Sequence, residues 1–376
     1  MSPAAPNATS ARAGRSPARR WIGAVTTVVL LVAVFGFFFP KLADYGEIWD
    51  DLQDLDMKGW GALILAAIWN LVALVPLVMV SMPGATFKEC FLNLSAGTAV
   101  ANSVPGGSAI GVGINWAMFD SWGFPPAEYT LATLVSGIWN NFVKLGLPVV
   151  ALVLLAITGD LRASFVPAAI VGVAVMAATI IGLALLLRSD HLAATIGRWV
   201  GRVVIAIGRR FRRDLGTRDD WAGHAVRFRE RSVDLIRKRW EALTVTAVIG
   251  HLSLWLVLLV AVRAVGITQA QVSWVEVLAA FAFVRLISAI PITPGGLGVV
   301  ELGLVAALAS GESTEVSSQA AAAVLVYRAL TFLLPIPVGA ACYVYWRISR
   351  RRHPEGDRRS RERRQRDGGG SAPALQ

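Results

Sequence analysis

Between Val284 and Ala307 the chain reads Val-Arg-Leu-Ile-Ser-Ala-Ile-Pro-Ile-Thr-Pro-Gly-Gly-Leu-Gly-Val-Val-Glu-Leu-Gly-Leu-Val-Ala-Ala. The stretch is apolar enough to enter a bilayer, yet its middle, Pro291–Gly298, cannot be a regular helix. Pro291 and Pro294 lack amide donors and fix φ, while Gly295, Gly296 and Gly298 let the backbone turn where a side chain would clash. Arg285 and Glu301 flank the break. Non-helical backbone at membrane depth persists only where protein or a water-filled cavity covers it, and transporters build their sites on such broken helices.

The rest of the chain agrees with a bilayer. Of 376 residues, 55% are hydrophobic and 16% charged, in several apolar runs near twenty residues, which is a polytopic membrane pattern. The net charge of +11 could point to nucleic acid. Lys and Arg instead gather beside the apolar spans without any nucleic-acid signature, so they read as topology signals and contacts to anionic lipid. Two cysteines, Cys90 and Cys342, and four scattered histidines give neither a disulfide framework nor a metal-ligand spacing. No cofactor is expected.

In order, residues 1–18 read as a disordered basic tail, 19–347 as the membrane domain and 348–376 as a second disordered basic tail. Trp21–Phe39 reads as an uncleaved first span, and Leu42–Met57 as an acidic amphipathic helix on the outer surface. Further spans are expected over Trp60–Val80, Leu131–Ile157, Phe165–Leu187, Leu243–Val265 and Gln319–Trp346. Residues 188–240 form a basic cytoplasmic loop. In it Leu192, Ile196, Trp199, Val203, Ile207 and Phe211 make an apolar stripe suited to an anionic leaflet.

A second break lies at Pro105-Gly106-Gly107, between apolar arms Phe87–Val104 and Ser108–Phe119. It repeats the design of Pro294-Gly295-Gly296, whose arms are Trp274–Ile290 and Leu297–Ala309. Positive-inside counting places both termini and the basic loop in the cytoplasm, so the two hairpins re-enter from opposite faces. Aligning Pro105 with Pro294 superposes span, hairpin and span in each half with opposite orientation. The expected fold is an all-α polytopic cell-membrane protein. It has about six or seven spanning helices plus two re-entrant Pro-Gly-Gly hairpins in an inverted repeat.

A charge at the bilayer centre costs roughly 2.5–3.5 kcal/mol on insertion scales and usually faces the bundle interior. Arg285, Glu301, Arg328 and Lys144, with Asn141 nearby, are therefore the candidate substrate-binding residues. Arginine suits bidentate phosphate contact and lysine a point contact. Glu301 either pairs with an arginine and holds its hairpin or carries a proton. His251 lies nearer a span end and carries less weight. Asn70, Asn102, Asn115 and Asn140 read as helix-to-helix hydrogen-bonding residues.

The run from Arg285 through Pro291-Ile-Thr-Pro-Gly-Gly-Leu-Gly-Val-Val-Glu301, with Tyr327-Arg328 beyond it, resembles the lysylphosphatidylglycerol synthase transmembrane region family. Val104-Pro-Gly-Gly-Ser-Ala-Ile-Gly resembles that family's first half. The resemblance covers about Trp21–Trp346 and implies lipid translocation or support of a lipid-processing pathway. It also implies an arginine after the first motif, which Gly111–Trp116 does not supply. Only a short polar tail follows Trp346, so synthase activity is not expected. Two readings follow. One is a flippase for an anionic or aminoacylated phospholipid or a polyprenyl-phosphate-linked lipid. The other is a non-transporting subunit that recruits an envelope-synthesis enzyme. An intramembrane enzyme is weakest, because no nucleophile–base pair is evident.

Overall fold

The computed structural model describes residues 57–103, 107–159, 218–288, 296–309 and 313–352, with isolated positions between 174 and 202. The expected N-terminal tail, the Trp21–Phe39 span, the acidic helix before Met57, the break residues Pro105, Gly106, Pro291, Pro294 and Gly295, most of Phe165–Leu187 and the tail past Arg352 lie outside the described residues. So does most of the 188–217 stripe, of which Trp199 is exposed.

Among the described residues the protein is all helical. Four helices are long and apolar enough to cross a membrane: Met57–Ser81, Pro126–Thr158, Ser232–Ala264 and Glu315–Ser349. The first is two pieces, α1 (Met57–Ala73) and α2 (Val75–Ser81). They part at Leu74 because Pro76 has no amide to continue the ladder. Helices α3 (Phe87–Ser103) and α4 (Gly107–Ser121) follow, then the long α5 (Pro126–Thr158), which ends on a left-handed glycine, Gly159.

Helix α6 runs unbroken from Arg218 to Ala264. The sequence separates a basic loop from a span at Leu243, and the structure corrects this. No proline occurs over these 47 residues, so nothing stops the helix where the charges end. At 1.5 Å per residue it is about 70 Å long, roughly twice a bilayer core, so its basic half projects beyond the apolar half. Arg263 then donates to the carbonyls of Ile267 and Val272 at 2.9 and 2.8 Å and so folds the connection to the next helix.

Helix α7 (Trp274–Ile287) opens on a capping box from Ser273 and Glu276. Beyond the second break come α8 (Val299–Leu308) and α9 (Thr314–Arg328). The expected last span, Gln319–Trp346, lies within Glu315–Ser349, with a π-turn inside it. This π-turn, Ala329–Leu333, separates α9 from α10 (Pro335–Arg352). Pro335 and Pro337 remove the donors that the Thr331 and Leu333 carbonyls would use in an α-helix, so the ladder shifts there.

The main core joins α1, α5, α6, α7, α8 and α9 through residues such as Leu63, Leu147, Leu258, Phe281, Leu304 and Val324. Its packing is fixed by small groups at crossings. Gly250 of α6 faces Leu74 at the α1/α2 kink, where an added Cβ would come within 2.8 Å of the leucine side chain. Nearby, Asn70 donates to Ser253 Oγ at 2.9 Å, and Trp139 of α5 donates to Thr244 Oγ at 3.0 Å. Asn70 thus plays the helix-to-helix role its sequence position suggests.

Candidate functional site

Each break sits between two helices that fold back on one another. In the first pair, Asn93 of α3 donates to the Asn115 carbonyl of α4 at 2.9 Å. A Cβ on Gly111 would sit 2.8 Å from the Gly97 carbonyl oxygen, and one on Gly107 would overlap the Val100 carbonyl. The contacts 93–115, 97–111 and 100–107 are the register of an antiparallel hairpin. Glycine permits the close approach. In the second pair, Gly303 of α8 meets Val284 of α7, and Gly296 faces Ser288, which is the same antiparallel order.

The second hairpin carries the charge. Gly298 ends the break at φ 82°, a conformation glycine adopts without strain, and its amide donates to Glu301 Oε2 at 2.7 Å. Glu301 Oε1 accepts from Arg328 Nε at 2.6 Å, and both side chains are buried. The Arg328 guanidinium also lies over the Phe332 ring, 4.3 Å from its centroid. Glu301 therefore has both oxygens engaged. It caps α8 and ties the second hairpin to α9. This matches the ion-pair role anticipated for it, with Arg328 as the arginine.

Arg285 differs. Its Nε is buried with no hydrogen-bond partner among the described residues, and its guanidinium lies only loosely over Phe281, 5.9 Å from the centroid. It is within Coulombic reach of Arg328 and Tyr327 on α9 and of Lys144 on α5. Helices α5, α7 and α9 thus bring three cations into one region, as the sequence suggests for Arg285, Arg328 and Lys144. Asn141 does not join them: it is exposed on α5, while Lys144 one turn later is half-buried.

His251 is the residue that sequence reasoning undervalued. It is 2% exposed on α6, and both Nδ1 and Nε2 are buried without a hydrogen-bond partner among the described residues. The Asn140 backbone lies alongside without completing a hydrogen bond, and Arg285 and Lys144 are both within Coulombic reach. One turn on, Trp255 Nε1 is also buried and unpartnered. A signal existed. Leu243 and Ala247 are buried, and His251 continues their four-residue step along α6.

Such orphaned polar atoms are uncommon in a packed interior, where an unsatisfied donor costs about 1–3 kcal/mol. Here they come from α6 and α7 and meet beside uncompensated positive charge. Chemically the arrangement offers donors and, among the described residues, no spare carboxylate, and so suits an anion. Of the break residues, Gly107 and Gly296 are described: Gly107 lies at a close approach to the Val100 backbone, and Gly296 packs against the Val300 side chain. Among the described residues no cluster of His, Cys, Asp or Glu could hold a metal.

A second basic feature lies where α2 meets α6. Val80 and residues Arg237–Ala242 line a cavity of about 390 Å³, and Arg239 Nη1 donates to the Val80 carbonyl at 3.4 Å. Trp240 is exposed beside these cations, the composition of a membrane–water boundary.

The family described as the lysylphosphatidylglycerol synthase TM region matches residues 21–339, most of the chain. No curated protein matches it.

Proposed function

The chain belongs to the lysylphosphatidylglycerol synthase TM region family, and on that footing we propose that it moves a phosphate-bearing lipid across the cell membrane without making or breaking a covalent bond. The observation that carries this reading is the pair His251 and Arg285, whose buried Nδ1, Nε2 and Nε atoms lack hydrogen-bond partners among the described residues, with Lys144 within Coulombic reach of both. A structural role would leave each charge paired, as Glu301 pairs Arg328. Unpaired charge held at depth fits a ligand that comes and goes.

The order of elements supports alternating access. A spanning segment, a glycine-packed hairpin and a second span occur twice: α1/α2, α3/α4, α5, then α6, α7/α8, α9/α10. We read the two hairpins as re-entrant from opposite faces, in an inverted repeat with cytoplasmic termini. In that arrangement the basic cavity at Val80 and Arg237–Ala242 faces the cytoplasmic leaflet and gathers anionic headgroups before they reach the buried cations.

The test is headgroup translocation in proteoliposomes of purified protein, followed by quenching of fluorescent lipid in the outer leaflet. Wild-type protein speeds translocation, and Arg285→Gln abolishes it while the protein remains folded. Wild-type rates in the Arg285→Gln and Lys144→Gln variants would remove the transport reading.

A further inference from the structure

The cluster's charges do not balance. Lys144, Arg285 and Arg328 face one carboxylate, Glu301, and both of its oxygens are taken by Arg328 and the Gly298 amide. Two positive charges are therefore left without a counter-charge among the described residues. We infer that the site selects a lipid whose headgroup ends in a doubly ionised phosphomonoester and turns away an aminoacylated headgroup. This rests on the transport reading above and narrows it to one class of cargo.

The donor inventory supports that choice. A guanidinium presents five N–H donors in a planar fork, an ammonium three, and a neutral imidazole one donor and one acceptor. A phosphomonoester brings three terminal oxygens and a charge of about −1.5 to −2 near neutrality. Arg285 and Lys144 then match its charge. His251, with both ring nitrogens unpartnered among the described residues, can donate its one ring N–H to a terminal oxygen. A phosphodiester has a single negative charge, so it leaves one cation unmatched. An aminoacylated phosphodiester is worse. Its ammonium would enter a site already positive, where no carboxylate oxygen among the described residues is free to receive it.

The inference separates this chain's cargo from what the family description names. The described charges would repel a lysylated headgroup.

Binding decides the matter and can be read apart from transport. The full-length protein in nanodiscs of phosphatidylcholine is titrated, under native mass spectrometry, with phosphatidic acid, phosphatidylglycerol and lysyl-phosphatidylglycerol of equal chain length, and with inorganic phosphate. Phosphatidic acid is expected to bind about tenfold more tightly than phosphatidylglycerol, the difference one charge-assisted contact makes, with lysyl-phosphatidylglycerol the weakest. His251→Leu and Arg285→Gln should each flatten the preference for phosphatidic acid. Lys144→Gln reads the same property should the arginine variant fail to fold. Lysyl-phosphatidylglycerol binding as tightly as phosphatidic acid overturns the inference. So does inorganic phosphate binding as tightly as the lipid, or an unchanged ranking in all three variants. Translocation assays on the same preparations keep the two readings distinct. The expected ranking without translocation sinks transport and leaves the site's selectivity standing. Translocation of lysyl-phosphatidylglycerol as fast as phosphatidic acid does the reverse.

Discussion

The two hairpins are built alike and used differently. In the first, α3 and α4 meet through Gly97, Gly107 and Gly111 and are clamped by Asn93. A third helix closes on them: Gly339 of α10 sits so near Ser95 and Ala99 that any Cβ would overlap the Ser95 carbonyl. The hairpin's inner end is held by Asn102, which donates to the Phe332 carbonyl at 3.0 Å. The second hairpin has the same glycine contact, Gly303 against Val284, but carries Arg285 on one arm and Glu301 on the other. One hairpin is a packed strut. The other carries charge, half of it spent on holding α9 and half left open. Hairpins of the same build need not share the same chemistry. Each buried charge is costly, so function needs it on one side only.

The sharpest way to break that contrast is to remove Glu301. Glu301→Gln strands the Arg328 charge and weakens the α8 cap together. It should cost about 3–5 kcal/mol in unfolding free energy, as when one partner of a buried pair is lost. Denaturant unfolding in detergent measures it, and the double change Glu301→Gln with Arg328→Met should recover part of the loss. A cost below about 1 kcal/mol would mean the pair holds nothing together. Next in size is Gly339→Val, which drives a branched side chain into Ser95 and Ala99. Overpacking of this kind costs about 1–3 kcal/mol. It should lower the melting temperature while the order of lipid affinities stays as it was. A changed order would make the first hairpin part of the site.

Arg285→Gln sharpens the contrast in the opposite direction. Because Arg285 Nε has no hydrogen-bond partner, removing its charge should leave stability unchanged or raise it by about 1 kcal/mol, while transport falls. Loss of stability as large as that of Glu301→Gln would reveal an ion pair in place of a binding group.

Much of this could be read in the chain. The arms Phe87–Val104 and Trp274–Ile290 are observed as Phe87–Ser103 and Trp274–Ile287, because proline and glycine punctuate them and apolar residues fill the rest. Arg285, Glu301 and Arg328 stand out because charge inside an apolar run has few innocent explanations. What could not be read is which arginine takes the carboxylate. That depends on how α8 docks on α9, a register that no local pattern encodes. His251 drew little weight because its importance comes from neighbours on α5 and α7, distant in sequence. The π-turn was equally hidden. Pro335 and Pro337 announce a disturbance, but a kink, a break and a π-turn all satisfy two missing amides.

That π-turn gives the smallest effect and the finest test of the contrast. It begins at Ala329, directly after Arg328, and the Asn102 bond to its Phe332 carbonyl is where the strut touches the charged half. Hydrogen bonds between membrane helices contribute about 0.6 kcal/mol on average, so Asn102→Ala should barely move the unfolding midpoint. Its consequence should lie instead in the position of Phe332, whose ring lies beneath the Arg328 guanidinium. If the strut only holds the bundle together, lipid binding in Asn102→Ala equals wild type. If it also sets where the charged half stands, affinity for phosphatidic acid falls by more than the lost bond explains, about threefold at 0.6 kcal/mol. Titrating both proteins in the same nanodiscs distinguishes these outcomes, and equality would confine the first hairpin to architecture.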